Sequence, residues 1–215
     1  MTADSRTEEE ITISGNPGNP VGDDGERMLG RMNESHSGVT GWALGFFSFG
    51  ETDRVLDIGC GGGAALRRMS ESVAKGHLVG IDHSPVSVAT SEKNNAADIT
   101  SGKMEIITGT VEKMPFPDDS FDKALTVESF YFWPDPENNL REVLRVVRHG
   151  GTFLLVADIY GRNDLSEKAK ANIERFGLFN PTPEEFRTLL ESAGFTGVKI
   201  HLEEKEGWIC AEGHK

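Results

Sequence analysis

Cysteine is nearly absent from the 215 residues: Cys60 and Cys210 are the whole complement. Two thiols cannot build a disulfide framework, and neither has a second Cys or a His at metal-ligand spacing. No metal site is expected from the sequence. Long apolar runs are missing too. Phe153 to Ala157 is typical of the longest, far short of the ~18 residues that a membrane span requires. The opening Met1-Thr2-Ala3-Asp4-Ser5-Arg6 lacks the basic and apolar regions of a secretory signal. A reduced cytoplasm is the expected location, with no membrane partner. Basic charge is also scarce: 22 Lys and Arg stand against 35 Asp and Glu, a formal net of −13. Holding nucleic acid by bulk electrostatics needs the opposite sign, so that partner is excluded as well.

What is present is an ordinary core for one domain. Hydrophobic residues make up 37% and glycine adds 25 residues, a share in the usual globular range. Residues 1–20 combine Glu8-Glu9-Glu10 with Gly15-Asn16-Pro17-Gly18-Asn19-Pro20 and read as a solvated, disordered tail. Residues 21–50 read as a helical cover, one helix from Asp23 to Phe49 with Val39, Trp42, Phe46 and Phe49 on a stripe. Residues 51–215 form the main domain. Short apolar strands there alternate with helical segments. The strands start at Arg54, His77, Met104, Phe121 and Thr152, and Val198–Leu202 with Trp208–Ala211 forms a closing hairpin. The fold class is α/β: a Rossmann-like, doubly wound, mostly parallel sheet with helices on both faces and an antiparallel end.

The strongest chemical signal is Asp57-Ile58-Gly59-Cys60-Gly61-Gly62-Gly63, where a strand runs into a helix. Glycines there let a ligand approach the backbone and the helix N-terminus. Gly59, Gly61 and Ala64 also satisfy the spacing of a dinucleotide loop, which keeps an NAD-dependent oxidoreductase open. Asp57 argues against it. A carboxylate at the strand end would repel a pyrophosphate and would suit a cation. S-adenosylmethionine carries a sulfonium and an ammonium group and no phosphate. Asp82 ends the next strand, placed to accept hydrogen bonds from a ribose diol.

Three further segments complete a pattern: Gly80-Ile81-Asp82-His83-Ser84, Met114 to Asp122, and Glu142 to Gly151. Together with the glycine loop they resemble, in order, the motifs of class I S-adenosylmethionine-dependent methyltransferases. The resemblance covers residues 50–160 strongly. It implies seven strands with the last one antiparallel, and S-adenosylmethionine as cofactor. It also implies that Asp57, Gly59, Cys60, Gly61 and Gly63 surround the methionine part, that Asp82 holds the ribose and that His83 lies against the adenine. Thr110, Val111 and Glu112 stand at the adenine edge. Thr110 replaces the Asp of many relatives, which shifts weight to the Val111 N–H.

The acceptor side is less defined. Methyl transfer from a sulfonium is a direct displacement, so catalysis rests mainly on positioning, and a general base is needed only when the acceptor must lose a proton. Glu128-Ser129-Phe130-Tyr131-Phe132-Trp133-Pro134 follows the fourth strand and reads as an aromatic wall, with Glu128 and Tyr131 as candidate catalytic residues. His36 is a third candidate, equally readable as a surface or capping histidine, and Trp42, on a stripe read chiefly as core packing, is a partial lid over the cofactor. A small-molecule acceptor is expected, because residues 158–182 leave no room for a substrate domain. A non-catalytic S-adenosylmethionine-binding protein remains an alternative.

Overall fold

The computed structural model describes residues 4–215. Seven strands form one sheet: β1 (Arg54–Ile58), β2 (His77–Asp82), β3 (Met104–Thr108), β4 (Phe121–Val127), β5 (Val147–Ala157), β6 (Thr196–Glu203) and β7 (Trp208–His214). Their order is β3-β2-β1-β4-β5-β7-β6. The first five run parallel, and β7 is antiparallel to both of its neighbours. The expected sheet is present, closing hairpin included.

Alternation along the strands divides the core into two layers. Leu56, Val79, Phe153 and Leu155 face one layer, while Val55, Leu78, Leu154 and Val156 face the other. The inner strands β1, β2 and β5 therefore bury both faces, which is why their sequences read as nearly continuous apolar runs. The first layer is covered by α7 (Pro136–Val146) and α9 (Pro183–Ala193), through Leu140, Val143, Phe186 and Leu190. The second is covered by α3 (Ser37–Leu44) and α4 (Ala64–Ser70), through Val39, Ala43, Leu66 and Met69. Between β2 and β3 lie α5 (Pro85–Asn94) and α6 (Ala96–Thr100), and α8 (Glu167–Phe176) follows β5. No helix among the described residues is long and apolar enough to cross a membrane.

Two expectations for the N-terminal part are corrected. The supposed disordered tail contains a helix, α1 (Glu8–Gly15). Its acidic run is the first turn, where carboxylates complement the helix dipole. Thr7 and Glu10 close a capping box: the Glu10 N–H donates to Thr7 Oγ1 at 3.2 Å and the Thr7 N–H to Glu10 Oε2 at 2.7 Å. Ile11 on its inner face is 1% exposed. The single helix expected over residues 23–49 is instead α2 (Gly22–Ser35) followed by α3. The break falls at His36 (φ −85°, ψ 0°), among the weak helix formers Ser35, Ser37 and Gly38. That break turns His36 inward.

Candidate active site

The sheet order reverses between β1 and β4, so the crevice at their carboxyl ends is where this architecture places ligands. Each of the four central strands ends on or next to an acid at that edge: Asp57 on β1, Asp82 on β2, Glu128 after β4 and Asp158 after β5.

The glycine loop follows Asp57. The N–H groups of Gly59 and Cys60 both donate to the Ile81 carbonyl, at 2.8 and 3.1 Å. The Gly61 N–H donates to Asp82 Oδ2 at 2.9 Å, and Asp82 Oδ1 accepts from the Ser84 N–H at 2.9 Å. These three loop donors are thus engaged by protein acceptors. Gly59 has φ +71°, and a Cβ there would come within 2.3 Å of Ser129 Oγ, so only glycine fits. Asn94 Nδ2 holds the loop from above through the Gly62 carbonyl at 2.9 Å.

This loop floors a cavity of about 700 Å³. Asp57, Gly59, Cys60 and Gly61 line it on one side, with Asp82 and His83 beside them. Thr110, Val111 and Glu112 close the far end, and His36, Glu128, Ser129 and Trp133 form the near wall. Burial, and next the charge of Asp82, push the Asp57 carboxyl up to about 7.

A second, outer cavity of about 1000 Å³ adjoins the first. It lies beneath α1, α2 and α8, with Met28, Ile159, Leu165, Phe176 and Leu178 among its apolar lining. Pro17, Met32, His36, Glu128 and Phe132 line both cavities and form the partition. Glu128 is 4% exposed and has φ +56°. Burial pushes its carboxyl well up, and the neighbouring Asp158 carboxylate pushes it further. Burial also raises the Tyr131 hydroxyl and lowers the His36 imidazole, the latter opposed by Asp158.

Residues 56–155 match the family of the methyltransferase domain. A 2-methyl-6-phytyl-1,4-hydroquinone methyltransferase of Oryza sativa is 30% identical over 147 residues, which cover 68% of this chain and 42% of that one. Methyltransferase GfsG of Streptomyces halstedii is 29% identical, over 84% of this chain and 62% of its own length. The fold agrees. A phosphoethanolamine N-methyltransferase of Haemonchus contortus, solved with S-adenosylhomocysteine, superposes with a TM-score of 0.77 at 12% identity, covering 98% of this chain and 60% of that one. Human N-acetylserotonin methyltransferase, solved with S-adenosylmethionine, gives 0.72 at 16% identity over 97% and 65%. The chain carries a class I S-adenosylmethionine-dependent methyltransferase domain. S-adenosylmethionine is the methyl donor of that family. The chain spans well under half the length of the Oryza relative.

In this methyltransferase domain, two sequence-expected residues stand elsewhere than expected. Trp42 does not line the glycine-loop cavity. It packs against Phe46 and Trp208, at centroid distances of 5.1 and 6.0 Å, because its stripe faces the second core layer. Gly63 turns away from the cavity: a Cβ there would meet Ser91 Oγ at 2.3 Å and Asn95 Nδ2 at 2.4 Å on α5 and just beyond it. Its role is close packing of loop on helix. Tyr131 lines the outer cavity alone.

The aromatic wall also divides. Phe130 enters the core beside Trp133 and Phe186, while Trp133 Nε1 donates to Ser129 Oγ at 3.3 Å. Sequence reasoning missed Asp158, whose signal was the recurrence of an acid at each central strand end.

Proposed function

We propose that this chain transfers the methyl group of S-adenosylmethionine to a hydroxylated, partly apolar small molecule. The observation that carries the reading is the state of the glycine loop. With the N–H groups of Gly59, Cys60 and Gly61 spent on Ile81 and Asp82, and with the carboxyl groups of Asp57 and Asp82 beside the loop, the cavity favours a cationic nucleoside over a pyrophosphate. When bound, S-adenosylmethionine supplies a methyl group already activated by its sulfonium.

The chain's own residues do the rest. Asp57 orients the loop and faces the ammonium, Asp82 has lone pairs left for the ribose, His83 covers the adenine, and the Val111 N–H with Thr110 and Glu112 meets its edge. The acceptor occupies the outer cavity, whose apolar lining suits a ring or chain of the kind named in the hydroquinone relative. His36, Glu128 and Tyr131 stand where the two cavities meet and align the acceptor oxygen. Holding both reactants in line supplies the larger part of the catalysis, on the order of 7–11 kcal/mol for well-oriented groups.

Titration calorimetry tests the donor: S-adenosylmethionine should bind and NAD should not, and the reverse result overturns the assignment. A screen of phenolic and isoprenoid acceptors that follows S-adenosylhomocysteine formation tests the chemistry. Donor binding without turnover on any acceptor would favour a binding protein.

A further inference from the structure

His36, Glu128 and Asp158 come from three places in the chain, the α2–α3 break and the ends of β4 and β5. One imidazole nitrogen and one oxygen from each carboxylate lie within 4.8 Å of one another. Spacing in the sequence could not reveal this, since 92 and 30 residues separate the three. The two oxygens of Glu128 are not equivalent. Oε2 accepts the Tyr131 hydroxyl at 2.9 Å, whereas Oε1 is buried with no hydrogen-bond partner. A buried carboxylate oxygen without a partner costs free energy, and here it belongs to the group facing a second carboxylate and an imidazole. Without a bound cation the two carboxylates can satisfy each other only by sharing a proton. Arg162, on the wall of the same cavity, has its Nε 3.6 Å from Asp164 Oδ1 without a hydrogen bond, and its guanidinium lies over the Tyr160 ring.

We propose that these three side chains hold a divalent cation at the partition between the cavities. The ligand set is one imidazole nitrogen and two carboxylate oxygens, which suits Mn²⁺ or Zn²⁺ better than the all-oxygen preference of Mg²⁺. Closing the cluster onto an ion needs ligand distances of about 2.0–2.2 Å, a contraction within reach of side-chain rotation. Tyr131 takes the outer role, fixing Glu128 through Oε2 so that Oε1 is presented to the ion. Three protein ligands leave coordination positions open toward the outer cavity.

An acceptor hydroxyl bound there would lose its proton to water more readily. Its oxygen electron pair would then form the bond to the methyl carbon as the carbon–sulfur bond breaks, leaving a neutral thioether. This role rests on the methyltransferase reading, while the metal site itself stands on its own geometry.

The test uses the full chain, stripped with EDTA and titrated with MnCl₂ and with ZnCl₂ by calorimetry. Electron paramagnetic resonance of free Mn²⁺ gives a second readout, and S-adenosylhomocysteine is titrated into the same samples. One saturable ion per chain is expected. Asp158→Asn, a change confined to the outer cavity, should weaken it at least about tenfold with S-adenosylhomocysteine affinity kept within twofold. Glu128→Gln should weaken the ion similarly, with folding checked by circular dichroism. Absence of saturable binding in the wild type, or binding that neither variant weakens, overturns the site and leaves a shared proton between the carboxylates. Failure of the wild type to bind S-adenosylhomocysteine would instead strike the donor reading, whatever the metal does.

Discussion

The Tyr131 hydroxyl donates a 2.9 Å hydrogen bond to Oε2 of Glu128, three residues earlier on the turn that leaves β4. Both side chains are buried, and the pair spans the boundary of the two cavities. Tyr131→Phe removes the donor while keeping the ring. Leaving a buried acceptor short should lower the unfolding free energy by about 1–3 kcal/mol in urea denaturation. Turnover should fall about tenfold or more, with S-adenosylhomocysteine affinity nearly constant. A variant as stable and as active as the wild type would remove Tyr131 from the site.

Asp57 makes donor binding pH-dependent. Its carboxyl is raised to about 7 by burial and by Asp82, above the ordinary value near 3.9 of an unfolded chain. The folded protein therefore holds the extra proton, and this group's contribution to stability declines as pH rises from about 4 to 7. A cationic ligand favours the ionised form. The thermal shift produced by S-adenosylmethionine should grow between pH 6 and pH 8, conditions chosen to straddle about one unit either side of that midpoint. Asp57→Asn should flatten the profile and weaken binding roughly tenfold or more. A profile of unchanged steepness in that variant would place the titrating group elsewhere.

Two adjacent glycines should respond differently to alanine. Gly63 has φ +76°, and its Cβ would strike Ser91 and Asn95. Gly63→Ala should cost about 1–3 kcal/mol of stability from backbone strain alone. At Gly62 the nearest atom to a Cβ is the Nδ2 end of the Asn33 side chain, 2.4 Å away, which can swing aside. Gly62→Ala should cost under about 1 kcal/mol. Differential scanning calorimetry ranks the two, and the opposite order would contradict the packing role given to Gly63.

The N-terminal helix should behave as part of the fold. Ile11 is 1% exposed, and Glu9 pairs with Arg175 of α8 at 2.6 Å across the outer cavity. Ile11→Ala should destabilise by about 2–5 kcal/mol, the cost of truncating a buried Ile. Glu9→Gln, an exposed pair, should change stability by less than about 1 kcal/mol. A loss at Ile11 no larger than the one at Glu9 would mean that α1 contributes little burial.

Much of this was legible because it is local. β4 and α9 match their sequence ranges, since Phe121–Val127 is an unbroken strand pattern and Thr182-Pro183 with Glu185 is a complete helix start. The α1 capping box was equally local, but its acids read as a solvated charge run. The strand pattern misjudged β5, which starts at Val147 rather than Thr152, because Gly150 and Gly151 read as a loop but form an irregularity inside the strand, held by backbone hydrogen bonds to Lys215.

By itself the sequence determined the α/β alternation, the glycine loop and the acids that end β1 and β2, because periodicity and turn chemistry act over a few residues. The tertiary structure alone decided what each of those groups faces. A side chain's direction in a helix break or a positive-φ turn depends on elements far away in the chain. So Trp42 went to the core, Gly63 to a helix contact, and His36, Glu128 and Asp158 to one another.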